Sequence, residues 1–257
     1  MRLDSSGSVL LSPSDLSAHL ACAYLTSLEL SALRGQIERP KRENPQAELI
    51  RRKGEEHEAA FLAELGAQGK EIVEVGLGAD GFAAAAARTE EALRAGVEVV
   101  YRGVRASGGC RGRADFLVRI AEPSALGAFS YVAWDTKLAR HAKPSAVLQL
   151  TFYSHELERI QGRLPEAMHV VLGTGAQESF RPAEFGAYFR RACGRLATFV
   201  SSPPVGYPYP VEHCGICDFQ PFCNERWDRD DHLVRVARIR REQIERLGLG
   251  GIKTLEA

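Results

Sequence analysis

Asp135 and Lys137 close an apolar stretch, Tyr131-Val132-Ala133-Trp134, that reads as a buried strand. Residues two apart on a strand leave it on the same face, so the two ionisable side chains depart together. Charge at such a position is costly without a partner. A second carboxylate, Asp115, sits in residues 111–120 (RGRADFLVRI), which read as another strand. If the two strands are neighbours, two carboxylates and one ammonium converge at one end of a sheet. Paired carboxylates suit Mg²⁺ or Mn²⁺, hard cations that take oxygen ligands. A lysine beside them can orient or deprotonate a water, or neutralise charge on a phosphorane-like transition state. The chemistry such a set performs is metal-assisted attack of water on a phosphodiester.

Spacing alone is also met by a plain Asp–Lys ion pair at a strand end with an unrelated aspartate elsewhere. Three further residues bear on the choice. His57 lies upstream in KGEEHE, within a helical stretch, and Gln149 and Tyr153 lie four apart on the helix that follows the Asp135 strand. Residues four apart share a helix face, so both can turn toward one cleft. Each has a bland explanation by itself: a satisfied histidine, a capped glutamine, a core tyrosine. All these elements occurring together and in order point to a site.

The elements that must position them follow from pattern. Ser12, Pro13 and Asp15 form a helix start with capping-box spacing, opening a helix that carries Cys22. Residues 34–45 read as a polar loop and 47–65 as a helix with Leu49, His57, Phe61 and Leu65 inward. A short strand at 71–75 and an Ala-rich helix at 82–94 precede strands at 97–104, 111–120 and 129–137. Turns at Ser107-Gly108-Gly109 and 123–127 separate these strands. A helix at 144–161, a strand at 167–172 and a helix at 182–200 complete an α/β pattern, a mixed central sheet flanked by helices. Residues 201–223 are an irregular loop rich in proline and cysteine, and 233–247 a charged helix.

The order Gly54-x-x-His57, Gly112-x-x-Asp115, Asp135-x-Lys137 and Gln149-x-x-x-Tyr153 resembles the RecB-like branch of the PD-(D/E)xK nuclease superfamily. The resemblance implies that nuclease core, with His57, Asp115 and Asp135 as metal ligands. It makes Lys137 the catalytic lysine, and sets Gln149 and Tyr153 to position DNA or the lysine. The second acid is aspartate, which this branch allows.

Six cysteines occur, Cys22, Cys110, Cys193, Cys214, Cys217 and Cys223. The spacing Cys214-x2-Cys217-x5-Cys223 supplies three thiolates, and a tetrahedral metal or a cubane cluster needs a fourth. Cys110 and Cys193 qualify by residue type, and Cys22 by pattern. A lone early cysteine with a late C-x2-C-x5-C resembles the iron–sulfur clasp of AddB-like and CRISPR-associated RecB-type nucleases. The resemblance implies a [4Fe–4S] cluster on Cys22, Cys214, Cys217 and Cys223, joining the N- and C-terminal segments around the core. That family often has proline after the first cysteine, where this chain has Ala23. Zinc is the alternative occupant, with the adjacent His213 as a competing ligand.

Partners are read from local features, because Lys plus Arg and Asp plus Glu are 33 each and the net charge is zero. Arg111, Arg113, Arg140 and Lys143 flank the site, as phosphate contacts or as a solvated face. Tyr207, Tyr209, Phe219, Phe222 and Trp227 surround the cysteines, where they stack single-stranded bases or pack the loop. No apolar run reaches a membrane span of roughly 18 residues, and residues 1–11 lack a secretory h-region, so a cytoplasmic protein with no membrane partner is expected. The domain expectation is a nuclease domain over 1–223 and a helical extension over 224–257, whose Leu247-Gly248-Leu249-Gly250 resembles the first half of a helix-hairpin-helix. A plain helix C-cap explains those glycines equally well. The functional expectation is a Mg²⁺- or Mn²⁺-dependent deoxyribonuclease, an exonuclease on single-stranded or end-frayed DNA in repair or recombination, with a helicase as a possible partner. The alternatives are a single-strand-binding module with little catalysis and an RNA-directed nuclease.

Overall fold

The computed structural model describes residues 1–4, 7–40, 45–107 and 109–256. Residues 41–44 of the expected loop and Gly108 of the expected turn lie outside them. A two-strand hairpin, β1 (Arg2–Leu3) and β2 (Val9–Leu10), precedes the helices α1 (Pro13–Ala21), α2 (Ala23–Leu33) and α3 (Pro45–Ala67). Then follow β3 (Ile72–Glu74), α4 (Gly81–Ala95), β4 (Val99–Ser107), β5 (Cys110–Ile120), β6 (Ser130–Lys137), α5 (Pro144–Gln161), β7 (Met168–Leu172), β8 (Gln177–Phe180) and α6 (Pro182–Ser201). The chain ends with α7 (Gln220–Arg229) and α8 (Arg241–Leu249), with single 3-10 segments at Glu212–Ile216 and Leu233–Arg235.

Two compact units form: Met1–Ser17 with Asn44–Ala197, and Ala18–Glu43 with Thr198–Ala257. The first is an α/β unit around a mixed six-stranded sheet in the order β3-β4-β5-β6-β7-β8. β3–β4 and β6–β7 are parallel, and the other pairs antiparallel. Alternation assigns the faces. Phe61 and Leu65 of α3 pack on Tyr101, Phe116, Val118, Val132 and Val171, with Trp134 against them, so these side chains share one face. Tyr131, Ala133 and Asp135 therefore take the other. There Thr151 and Ser154 of α5 meet Met168 of β7 at 3.8 and 3.9 Å, which seats α5 on that face.

The second unit is helical. Leu25 and Leu28 of α2 pack with Phe219, Cys223 and Trp227. Two stretches far apart in sequence thus share one small core, and burying such aromatic and aliphatic surface is what holds them. Among the described residues, no helix is long and apolar enough to cross a membrane.

Several expectations change. The capping box at Ser12 forms, with the Ser12 amide donating to Asp15 Oδ2 at 2.9 Å and the Asp15 amide to Ser12 Oγ at 3.3 Å. Cys22, however, lies outside any helix: its extended backbone (φ −157, ψ 105) ends α1 and makes it the N-cap of α2. β8 was not expected, because QESF is short and polar. The charged run 233–247 is not one helix. Arg238 takes a left-handed φ of 62, and α8 starts under its own cap, with the Arg240 amide donating to Gln243 Oε1 at 2.8 Å. Leu247, Gly248 and Leu249 are the last turn of α8, and the Gly250 amide returns to the Arg246 carbonyl at 3.2 Å. By compactness the chain divides within α1 and α6, and α7 spans Gln220–Arg229.

Candidate functional site

β5 and β6 pair with Phe116 opposite Trp134. Carried one residue further, this register sets Asp115 opposite Asp135. Trp134 turns toward α3, stacked 5.7 Å from the Phe61 ring, so Asp135 enters the α5 face, where it is only 2% exposed. Lys137 follows on the same face and its Nζ donates to Asp135 Oδ1 at 2.7 Å. Oδ2 of Asp135 is buried and receives no donor. The Asp115 carboxyl can hydrogen-bond it only when protonated, and Asp115 is held well above the usual carboxylate range by burial first and then by the Asp135 carboxylate. Two opposed acids share one cation here, Lys137, which meets only one of their oxygens.

β4 adds a constraint from the other side. Tyr101 pairs with Phe116 and Gly103 with Ala114, while Arg102 between them, opposite Asp115, takes a left-handed φ of 54. Such a conformation costs a non-glycine residue about 1–3 kcal/mol. It turns the Arg102 guanidinium to Glu58 and Glu74, at 3.3 and 3.2 Å, while Tyr101 Oη donates to Glu58 at 2.6 Å. The Glu58 charge adds to what keeps Asp115 protonated. Glu58 was not singled out from the sequence. The available signal was its place beside His57 on a helix whose neighbouring turns face the sheet.

α5 closes the cavity. Tyr153 Oη donates to the Arg113 carbonyl at 2.6 Å, with Gln149 alongside, and burial pushes its hydroxyl pKa upward. A Cβ on Gly112 would lie 2.9 Å from Tyr153 Oη and 3.0 Å from Phe152 Cε1. The motif glycine is therefore what lets α5 approach the strand. Asp115, Gln149 and Tyr153 line a cavity of about 370 Å³ together with Arg2, Arg111 and Arg113.

His57 approaches from α3. Its Nε2 lies 3.2 Å from the Val171 carbonyl oxygen, and Val171 pairs with Thr136, between the site aspartate and lysine. A donating Nε2 leaves Nδ1 as the nitrogen with a free lone pair. Among the described residues, no three His, Cys, Asp or Glu side chains are gathered as an ion-holding set, so His57 is not drawn together with the two aspartates. The fit to a divalent cation lies in the donor types and in the unpartnered Asp135 oxygen.

Cys22, Cys214, Cys217 and Cys223 line one pocket of the second unit, with His213 beside them. All four are free thiols. The Val211 amide donates to Cys214 Sγ at 3.4 Å. Burial, then the neighbouring sulfurs, pushes Cys223 up to about 12, and burial raises Cys217. Four cysteines on one pocket and a backbone amide donating to sulfur suit a thiolate-ligated centre by residue type, while among the described residues no three of these thiols are gathered as an ion-holding set. The open space among them is about 20 Å³, room for a water-sized occupant. Cys110 and Cys193 belong to the first unit, where burial and Cys110 hold Cys193 up to about 11. Phe219 and Trp227 are core residues. Tyr207 and Tyr209 line a separate cavity of about 550 Å³ with Tyr24, Phe199 and Arg241, and Phe222 is exposed.

No family model matches the chain. No curated protein sequence matches it. A solved structure titled "Crystal structure of SSO0001" superposes with a TM-score of 0.37 at 14% identity, over 84% of this chain and 85% of that one. A likeness at that level carries no functional inference.

Two outcomes follow from this geometry. Replacing Gly112 with Ala forces Tyr153 or the strand to shift, at about 1–3 kcal/mol, or roughly 2–4 °C in Tm for each kcal/mol. An unchanged melting curve would mean that α5 yields freely. Asp115 carries a raised folded-state pKa, so the folded state binds the extra proton between the unfolded value near 3.9 and that higher value. Stability measured in EDTA falls as pH rises through this window. Asp115→Asn removes the fall and raises Tm at pH 8, and a Tm below wild type there would contradict the burial cost.

Proposed function

We propose that the chain is a divalent-metal-dependent nuclease that hydrolyses phosphodiesters of DNA, in single-stranded or end-frayed form, in repair or recombination. The observation that carries this reading is the opposed pair, Asp115 and Asp135, with one buried oxygen lacking a donor and Lys137 attached to the other. Asp115 and Asp135 would hold the cation, with His57 as a third candidate through Nδ1. When bound, Mg²⁺ or Mn²⁺ supplies charge neutralisation at the phosphate and acidifies a coordinated water.

The chain's own groups have separate tasks. Lys137 is fixed by Asp135 and is partly exposed, so its ammonium can hold a water or a phosphate oxygen while its partner stays buried. Tyr153 ties α5 to the Asp115 strand through the Arg113 carbonyl, which fixes where the carboxylate stands. Gln149 presents an amide to the same cavity. Trp134, Phe61 and Phe116 seal the α3 side against water.

The thiols of the second unit would hold a [4Fe–4S] cluster in a structural role. A zinc ion is the second reading, favoured by the small space and by His213 in the lining.

Anaerobically purified protein is expected to cleave end-labelled single-stranded DNA with Mg²⁺ or Mn²⁺ and not with EDTA. Asp135→Ala and Lys137→Ala should each lower the rate by at least about 10²-fold; cleavage by both at the wild-type rate would remove the assignment. An RNA strand run in parallel decides the substrate class, and binding without turnover would leave a DNA-binding module. The same preparation should be brown, with iron and acid-labile sulfide in equal amounts, and Cys223→Ser should be colourless. Colourless wild-type protein loaded with zinc would overturn the cluster.

A further inference from the structure

We propose that Arg2, Arg111 and Arg113 form an anion subsite that takes a nucleic-acid phosphate flanking the scissile one. The inference rests on reading the aspartate pair as the phosphodiester-cleaving site and extends it to how the strand is seated. All three arginines line the same cavity as Asp115, Gln149 and Tyr153. A volume of about 370 Å³ lies in the range of small-ligand pockets and can hold more than the reacting group alone.

The arginines are cations without a carboxylate. Among the described residues, none of the three has a carboxylate oxygen within ion-pair distance, whereas Arg51, Arg88, Arg94, Arg102 and Arg163 all do. The cavity's other acid, Asp15, is occupied by the Ser12 amide and hydroxyl at 2.9 and 2.7 Å, which also caps α1, so the helix end is not a free anion site. Arg2 and Arg111 lie within each other's field. Burial and then the Arg2 charge lower the Arg111 pKa, with the Asp15 carboxylate offsetting part of this, and an anion between the two arginines would relieve the rest.

The subsite is also held in place. The Arg111 guanidinium stacks over the Phe82 ring at 4.4 Å, and the Arg111 amide donates to the Leu11 carbonyl at 2.8 Å. The Arg113 backbone is pinned by Tyr153. A planar guanidinium held in advance, as that of Arg111 is, matches phosphate oxygens two donors at a time, while Arg2 and Arg113 present exposed side chains to the same cavity. Arg140 and Lys143, the other cations expected beside the site, are exposed and do not line the cavity.

The phosphate can be internal or terminal, and binding separates the two. Fluorescent single-stranded oligonucleotides of one sequence, with and without terminal phosphates, are titrated onto the full chain in EDTA at several KCl concentrations. Cleavage with Mn²⁺ is read separately. Arg111→Gln and Arg113→Gln should each weaken binding several-fold and flatten the slope of log K against log salt by about 0.7. Arg111→Lys, which keeps the charge, should retain the slope, and matching melting curves confirm that the variants fold. Equal losses on both oligonucleotides support an internal phosphate; losses confined to the phosphorylated one support a terminal phosphate. Unchanged slopes in both Gln variants, or no binding by the wild type, overturn the subsite. Flattened slopes in a protein that never cleaves would keep the subsite and remove the nuclease reading.

Discussion

The opposition of two carboxylates across an antiparallel strand pair is the constraint on which the first unit depends. Asp115 and Asp135 face one another because Phe116 pairs with Trp134, and a slip of one residue would turn every side chain of β6 to the other face. That register also serves the core: it points Trp134 at Phe61 and Phe116 at Tyr101. The hydrophobic side of the sheet therefore enforces an electrostatically unfavourable arrangement on the other side. A proton on Asp115 and the Lys137 ammonium offset it in part. The donorless Asp135 oxygen marks what they leave uncompensated.

Much of this was legible in the sequence, because the residues concerned obey local rules. Alternation in residues 130–137 identifies a strand and places Asp135 with Lys137, and the spacing of Gln149 and Tyr153 places both on one side of α5. The opposition of Asp115 and Asp135 was not legible. It depends on the turn over 121–129, where Ser124 Oγ reaches the Phe129 carbonyl at 2.6 Å and sets how far β5 and β6 slide. Glu58 was missed because its meaning arises only after β4 has broken its alternation at Arg102, a tertiary event with no sequence period. His57 was found by pattern, but its tether, the Val171 carbonyl, is 114 residues away.

The second unit shows the same limit from another direction. The cysteine spacing raises the expectation of a common ligand, and the four cysteines line one pocket. The surrounding rings divide by burial rather than by residue type. Phe219 and Trp227, which composition alone offered as stacking platforms, are core residues. Trp227 Nε1 also donates to the Pro208 carbonyl at 2.8 Å, anchoring the proline-rich segment. Cys223 belongs to that same apolar cluster. Burial is thus the first cause that raises its thiol, and a cation bound there would have to offset that desolvation to hold the thiolate.

Neutral overall charge conceals a local separation. Arg113 and Asp115 are two apart on β5 and line one cavity, yet they form no ion pair. A salt bridge between them would be easy to build and would cancel both groups. Instead Asp115 is turned to Asp135 and Lys137, while Arg111 rests on Phe82 and the Arg113 backbone is held by Tyr153. The acids of this region pair with other cations, Asp135 with Lys137 and Asp15 with the Met1 ammonium, and leave the three arginines without a carboxylate partner among the described residues. Under the proposed reading, a phosphate accompanied by a divalent metal would answer the arginines and the donorless Asp135 oxygen together.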